Sequence, residues 1–361
     1  MLTLRSRTVT LLATTALAVG ACGGDDDEPS GDGQASQGGE PTEIVFSQPT
    51  PPSLLFYPPL VAEQLGFFEE ENVKAELAPA AEEIPSTAFL ENGDADIALS
   101  DVDEIVIARS KGGEQVVVFS PQHSNTAGTV VPADSEIQAF GDLAGRKVGL
   151  ASEEDTSIFQ AQLQDAGLSK DDVETVVVGT SGATIANVLE EGEVDAYVGA
   201  VSDFTALQAN GVQLRNITPE GIDEIDGNPM AVMPATLESK REALVGFLRA
   251  WAKAQYVGQV KPEVVEAIVR EEVPAEWRNE AVGEAALQTA IQLFEPDDPE
   301  RIGDVRPDVW ETGQDLLASV GIIEEKVPIE QALDDQLVEE INDFDRAEVE
   351  AAADAWLQEN G

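Results

Sequence analysis

From residue 43 onward the chain alternates short β-branched runs with amphipathic stretches, the pattern of an α/β protein with largely parallel sheets. Apolar runs predict strands at 43–47, 73–77, 95–100, 115–120, 147–151, 173–178, 196–200 and 230–233. Helical periodicity is clearest at 59–65, 156–166 and 184–191. Gly66, Gly167 and Gly192 close these helices, since glycine accepts the left-handed backbone of a helix C-terminus. After Pro234 the pattern changes. Residues 236–259 predict one long amphipathic helix with Leu244, Phe247, Leu248 and Trp251 on its core face, and strands nearly vanish beyond it.

The pattern also echoes itself. Leu90-Glu91-Asn92-Gly93-Asp94-Ala95-Asp96 and Leu189-Glu190-Glu191-Gly192-Glu193-Val194-Asp195 share Leu, Glu, Gly and Asp in the same places. Each reads as a helix end, a glycine cap and the start of a strand, and the strands lead to Ser100-Asp101 and Ser202-Asp203. This predicts two similar α/β lobes whose strand-end loops face one cleft.

The first 21 residues read as an export leader: Arg5 and Arg7, an apolar stretch too short to span a bilayer, and small residues before Cys22. Cys22 is the sole cysteine, so the expectation is a lipidated N-terminus with no thiol left for disulfides, metal or nucleophilic chemistry. An ordinary signal peptide ending beside a cysteine is the alternative. Residues 22–42 then form an acidic linker too polar to fold, with a reach of about 25 Å. The expected location is the extracytoplasmic face of a membrane, held by lipid.

Charge narrows the partners. Seventy acidic against 20 basic residues give a net charge of −50, which excludes nucleic acid and opposes anionic lipid except through an acyl chain. Such a surface suits saline surroundings or serves plain solubility. No later segment is apolar enough to span a membrane.

Four segments resemble the SsuA/THI5-like (NMT1) family of periplasmic solute-binding proteins. They are Pro59-Leu60-Val61-Ala62-Glu63-Gln64-Leu65-Gly66-Phe67-Phe68-Glu69-Glu70-Glu71-Asn72-Val73, Asn92-Gly93-Asp94-Ala95-Asp96-Ile97-Ala98, Phe140-Gly141-Asp142-Leu143-Ala144-Gly145-Arg146-Lys147-Val148-Gly149 and Gly192-Glu193-Val194-Asp195-Ala196. The resemblance implies an α/β, type II periplasmic-binding-protein fold, two lobes joined by two crossing strands and closing on a small molecule. Mapped here, lobe one is 43–121 with 229–361, and lobe two is 122–228. The crossings fall near 122–131 and 227–234. The helical extension 287–361 departs from compact members of the family.

Enzymatic constellations are missing: one histidine, no spare cysteine, no P-loop, no H-E-x-x-H, no G-x-S-x-G and no calcium loop. The expectation is therefore no enzyme, no metal and no cofactor. The ligand-binding candidates are Phe56 and Tyr57, whose rings could stack on a planar ligand, and Ser100 and Asp101 beyond a lobe-one strand. His123 and Asn125 fall in a crossing. Asp155, Thr156, Ser157 and Ser181 stand at helix starts in lobe two, where a capping role and a ligand role can coexist, and Ser202 and Asp203 fall in the loop after a lobe-two strand. No Arg or Lys falls in 48–57, 100–103, 122–126, 153–157, 180–184 or 201–204, which disfavours an anion.

The expected function is a monomeric binding lipoprotein that hands a neutral or cationic heterocycle, such as the pyrimidine precursor of thiamine, to an ABC permease. An alkanesulfonate or nitrate binder and a THI5-like pyrimidine synthase are the alternatives.

Overall fold

In the computed structural model, residues 40–78, 84–153, 155–219, 225–319 and 321–360 are described. The leader, Cys22 and most of the expected linker lie outside them. Thr42, expected in the linker, is the first residue of β1.

Ten strands form two five-stranded sheets. The first has the order β2-β1-β3-β10-β4, with β1 Thr42–Ser47, β2 Val73–Leu77, β3 Ile97–Leu99, β4 Val116–Phe119 and β10 Met230–Val232. The second has the order β7-β6-β8-β5-β9, with β5 Ala127–Pro132, β6 Lys147–Leu150, β7 Glu174–Val177, β8 Ala196–Ala200 and β9 Leu214–Asn216. In each, three parallel strands meet one antiparallel strand that arrives from a crossing, β10 in the first and β5 in the second. This is a type II periplasmic-binding-protein fold of two α/β lobes joined by two crossing strands.

The longer helices, in chain order, are α1 Tyr57–Gln64, α2 Val102–Ser110, α3 Asp155–Asp165, α4 Gly182–Glu190 and α5 Val201–Ala209. They continue with α6 Pro234–Val260, α7 Pro262–Glu272, α8 Glu280–Leu293, α9 Pro307–Ser319 and α10 Arg346–Asn360. Along α6 the predicted core face holds: Leu244, Phe247, Leu248 and Trp251 are buried, and Phe247 packs against Phe46, Phe68 and Trp251. Dispersion and area removed from water make such an aromatic cluster the main anchor of the first lobe.

The internal echo has a physical cause. Asp96 donates its N–H to Val45 O at 2.7 Å and accepts Val45 N–H on its carboxylate at 2.9 Å. Asp195 does the same with Lys147, at 2.7 and 2.9 Å. Each aspartate ties the start of its own strand to the backbone of the neighbouring parallel strand, a part-buried pairing that neither glutamate nor asparagine reproduces with the same reach and charge. Lys240 and Arg146 neutralise the two carboxylates.

The sequence pattern missed β5 and β9. β5 was read only as a crossing, and β9 is a three-residue edge with no apolar run. The C-terminal extension touches both lobes. Its α8 packs on the turn Leu54–Phe56 and on α5, where Thr205 and Thr289 hydroxyls meet at 2.9 Å. Its α9 lies against α2 and α3, with Gln164 Nε2 donating to Ser319 O at 2.6 Å.

Candidate functional site

The loops at the carboxyl ends of β6 and β8 carry the most distinctive chemistry. Asp155 opens α3, and its carboxylate folds back to accept the N–H and hydroxyl of Ser152 at 2.7 and 2.8 Å. Asp203, in the first turn of α5, accepts Ala200 N–H at 3.2 Å and the Tyr197 hydroxyl at 3.1 Å. Each carboxylate thus supplies a partner for orphan donors at a helix start.

Burial raises the pKa of Asp155 above the ordinary carboxylate range, against the hydrogen bonds from Ser152. Burial likewise raises Asp203, and the nearby Asp155 charge pushes it further. Tyr197 feels both carboxylates and is raised too, chiefly by burial. Two desolvated carboxylates sharing one corner are stabilised by a cation or by N–H donors, and they repel an anion.

Gly199 makes the corner possible. A Cβ there would stand 2.6 Å from Tyr197 Cε1 and 2.7 Å from its hydroxyl, so the ring lies over this glycine to reach Asp203 and Gly179 O. Gly199→Ala is expected to displace the ring and cost about 1–3 kcal/mol, the range for overpacking. Urea denaturation checks this, and an unchanged midpoint would show that the ring has room elsewhere.

Other expected residues land differently. Phe56 and Tyr57 are core: they are 2% and 0% exposed and meet Phe294 edge-on at 6.5 and 5.4 Å. Tyr57 donates its hydroxyl to Gln255 O at 3.4 Å. The stacking role is therefore corrected, because the extension supplies a ring and a helix that cover both. Ser100 is buried, with its hydroxyl unpartnered. Asp101 is exposed at the N-cap of α2 and accepts Asn228 Nδ2 at 2.6 Å. Asn125 Oδ1 accepts Ala127 N–H at 2.7 Å, a local turn bond. Thr156 and Ser157 lie in the first turn of α3, Ser202 in that of α5, and Ser181 is the exposed N-cap of α4.

His123 is claimed by the extension. Its Nε2 sits 3.0 Å from Asp304 O, while Nδ1 faces Asp297, 3.4 Å from the backbone N–H and 3.2 Å from the carboxylate. With both nitrogens engaged, the ring fastens the crossing rather than reaching a ligand, which corrects its expected role.

Sequence reasoning missed the residue at the centre of this junction. Arg306 binds the fully buried Asp226 carboxylate through Nε, at 2.9 Å, and Nη2. Its guanidinium also donates to His123 O at 2.9 Å and to Asp297 at 3.2 Å. Asp226 in turn accepts the Ser120 hydroxyl at 2.8 Å, so the two crossings and the extension share one knot. Gly303 lets the extension pair with Ser120: its φ is +83° and a Cβ would run into the Phe119 ring. No local sequence signal marks Arg306, because its partners are 80 or more positions away or lie across a turn.

The two sheets and their crossings define a two-lobed α/β protein with the type II periplasmic-binding-protein fold. The chain belongs to the NMT1/THI5-like family, whose model matches residues 55–264. It is 24% identical over 217 residues to the 4-amino-5-hydroxymethyl-2-methylpyrimidine phosphate synthase of Legionella pneumophila, covering 57% of this chain and 66% of that protein. It is 26% identical over 199 residues to the formylaminopyrimidine-binding protein of Halalkalibacterium halodurans, covering 54% and 59%. The chain thus spans less than two thirds of these relatives' own length. Among solved structures, the periplasmic aliphatic sulphonate-binding protein SsuA of Escherichia coli superposes with a TM-score of 0.61 at 17% identity, over 81% of this chain and 92% of that one.

The Legionella relative corrects one expectation. A family member named as a synthase means that membership does not exclude catalysis, so the reading of the chain as a non-enzyme does not stand.

Proposed function

We propose that this chain is an extracytoplasmic solute-binding lipoprotein that takes an aminopyrimidine of the thiamine-precursor type between its lobes and delivers it to an ABC importer. The observation that carries the reading is the Asp155–Asp203 corner, whose half-buried carboxylates, held by Ser152, Ala200 and Tyr197, favour a cationic or N–H-rich ligand. An aminopyrimidine supplies both, as ring amine and as protonated ring. The names of the two curated relatives support the same ligand class. Lobe one, taken as 43–121 with 229–361, contributes Asp101, and lobe two, 122–228, contributes Asp155 and Asp203. The ligand favours the closed state by contacting both lobes. Lipid attachment at Cys22 and a monomeric body complete the reading. Among the described residues no helix is long and apolar enough to cross a membrane.

A thermal-shift panel of aminopyrimidines, flavins, polyamines, alkanesulfonates and nitrate tests it. Aminopyrimidines should raise the melting temperature by mass action. Stabilisation by sulfonates or nitrate alone would show that helix N-termini outweigh the acidic corner. A second reading, chemistry on a pyrimidine, is favoured by the Legionella relative's name. Turnover of a bound pyrimidine by the purified chain would support it.

A further inference from the structure

We propose that Gln48, Ser100 and Gln122, all following strands of the first sheet, form the half of the ligand site that faces the Asp155–Asp203 corner, reading the donor and acceptor edge of an aminopyrimidine by neutral hydrogen bonds. The inference rests on the preceding reading of the site and adds residues to it. Each of the three is more than nine-tenths buried, and each has one side-chain atom without a hydrogen-bond partner among the described residues: Gln48 Oε1, Ser100 Oγ and Gln122 Nε2.

Their placement is not scattered. Gln48 directly follows β1, Ser100 directly follows β3, and Gln122 comes just after β4, so all three stand at carboxyl ends of strands in one sheet. That is where open α/β sheets receive ligands. The row is tied together by backbone. Ser100 N–H donates to Pro229 O at 3.1 Å, and Gly227 N–H donates to Gln122 O at 3.1 Å. Asn228 bridges the row, giving its N–H to Gln122 Oε1 at 3.1 Å and its side-chain amide to Asp101 at 2.6 Å.

The bonds at one end of each glutamine decide what the other end offers. Gln48 Nε2 is held by Thr50 O at 2.9 Å, which leaves Oε1 as an acceptor. Gln122 Oε1 is held by Asn228, which leaves Nε2 as a donor. Ser100 adds a hydroxyl that can do either. An acceptor, a donor and a hydroxyl are what an exocyclic amine beside a ring nitrogen requires. The unpartnered indoles of Trp251, Trp277 and Trp310 and the unpartnered amide atoms of Gln115, Gln162 and Gln255 differ: none stands at the carboxyl end of a strand in this sheet. A buried polar atom without a partner opposes folding, so three in one strand-end row point to a use outside the folded chain itself. These three side chains would then supply neutral recognition, and the carboxylates of Asp101, Asp155 and Asp203 the charge.

The test is calorimetric titration of the full chain with 4-amino-5-hydroxymethyl-2-methylpyrimidine, for wild type, Ser100→Ala and Gln48→Met. Each variant should bind about tenfold more weakly, the loss of one net hydrogen bond. Ser100→Ala should melt, without ligand, at the wild-type temperature or above, because the hydroxyl it removes has no protein partner. Variants that bind within about twofold of wild type overturn this inference and leave the aminopyrimidine reading standing. A ligand-free Ser100→Ala that melts clearly lower also overturns it, since the hydroxyl then serves the fold through buried water. No binding of the probe by the wild type removes the aminopyrimidine reading and this inference with it.

Discussion

Replacing Arg306 by methionine is expected to cost about 3–5 kcal/mol, the range for removing one partner of a buried ion pair. Asp226 has a fully buried side chain, and without Arg306 its remaining partner among the described residues is the Ser120 hydroxyl, against the cost of a desolvated charge. The same change frees His123 O and Asp297 from the guanidinium. The loss should concentrate at the crossings, so hydrogen exchange should quicken around 120–123 and 226–228 before it does in the sheets. A paired variant, Arg306→Met with Asp226→Leu, should recover most of the stability, because a well-packed apolar pair avoids the desolvation term. Urea denaturation of both variants decides it. A single variant that loses less than about 1 kcal/mol would place Asp226 in contact with water and dissolve the knot as an anchor.

Asp155→Asn with Asp203→Asn is expected to separate stability from binding. Hydrogen bonds to charged groups contribute about 1.5–3 kcal/mol, so each change should weaken an aminopyrimidine by about 10- to 100-fold. The ligand-free protein should respond the other way. Both carboxyls have folded-state pKa values raised by burial, so the folded chain holds protons that the unfolded chain releases. Stability therefore falls as pH rises from the ordinary aspartate range through the raised values, and at neutral pH the ionised pair opposes folding. The double variant should lack that fall and melt higher than wild type at neutral pH. A lower melting temperature with an unchanged pH slope would mean that the bonds from Tyr197, Ala200 and Ser152 outweigh desolvation.

Much of the architecture was legible because it is local. Strands such as 73–77 and 196–200 match their predicted spans, and the glycine-capped helix ends at Gly66, Gly167 and Gly192 all take positive φ. The echo around Asp96 and Asp195 was visible as four matched letters, while its cause, a carboxylate reaching the next strand's N–H, is a tertiary fact. The candidate site was half legible. Asp155 was marked by its position at a helix start, and Asp203 by its place in the loop after an apolar strand run. Phe56 and Tyr57 carry the same mark, yet α8 and Phe294 from far along the chain cover them. His123 was singled out, but the 297–306 segment that engages it gives no periodic signal. Gln48 and Gln122 are ordinary polar residues in a sequence; only unmet hydrogen-bonding capacity at strand ends of one sheet distinguishes them.

A crystal structure of the chain with formylaminopyrimidine tests the central claim most directly. The account predicts a closed form with the ring between the lobes, an amine or protonated ring nitrogen against Asp155 or Asp203, and its edge on Gln48, Ser100 or Gln122. A ring bound outside the strand-end loops, or an anion held there through Arg306 in preference to the pyrimidine, would contradict it.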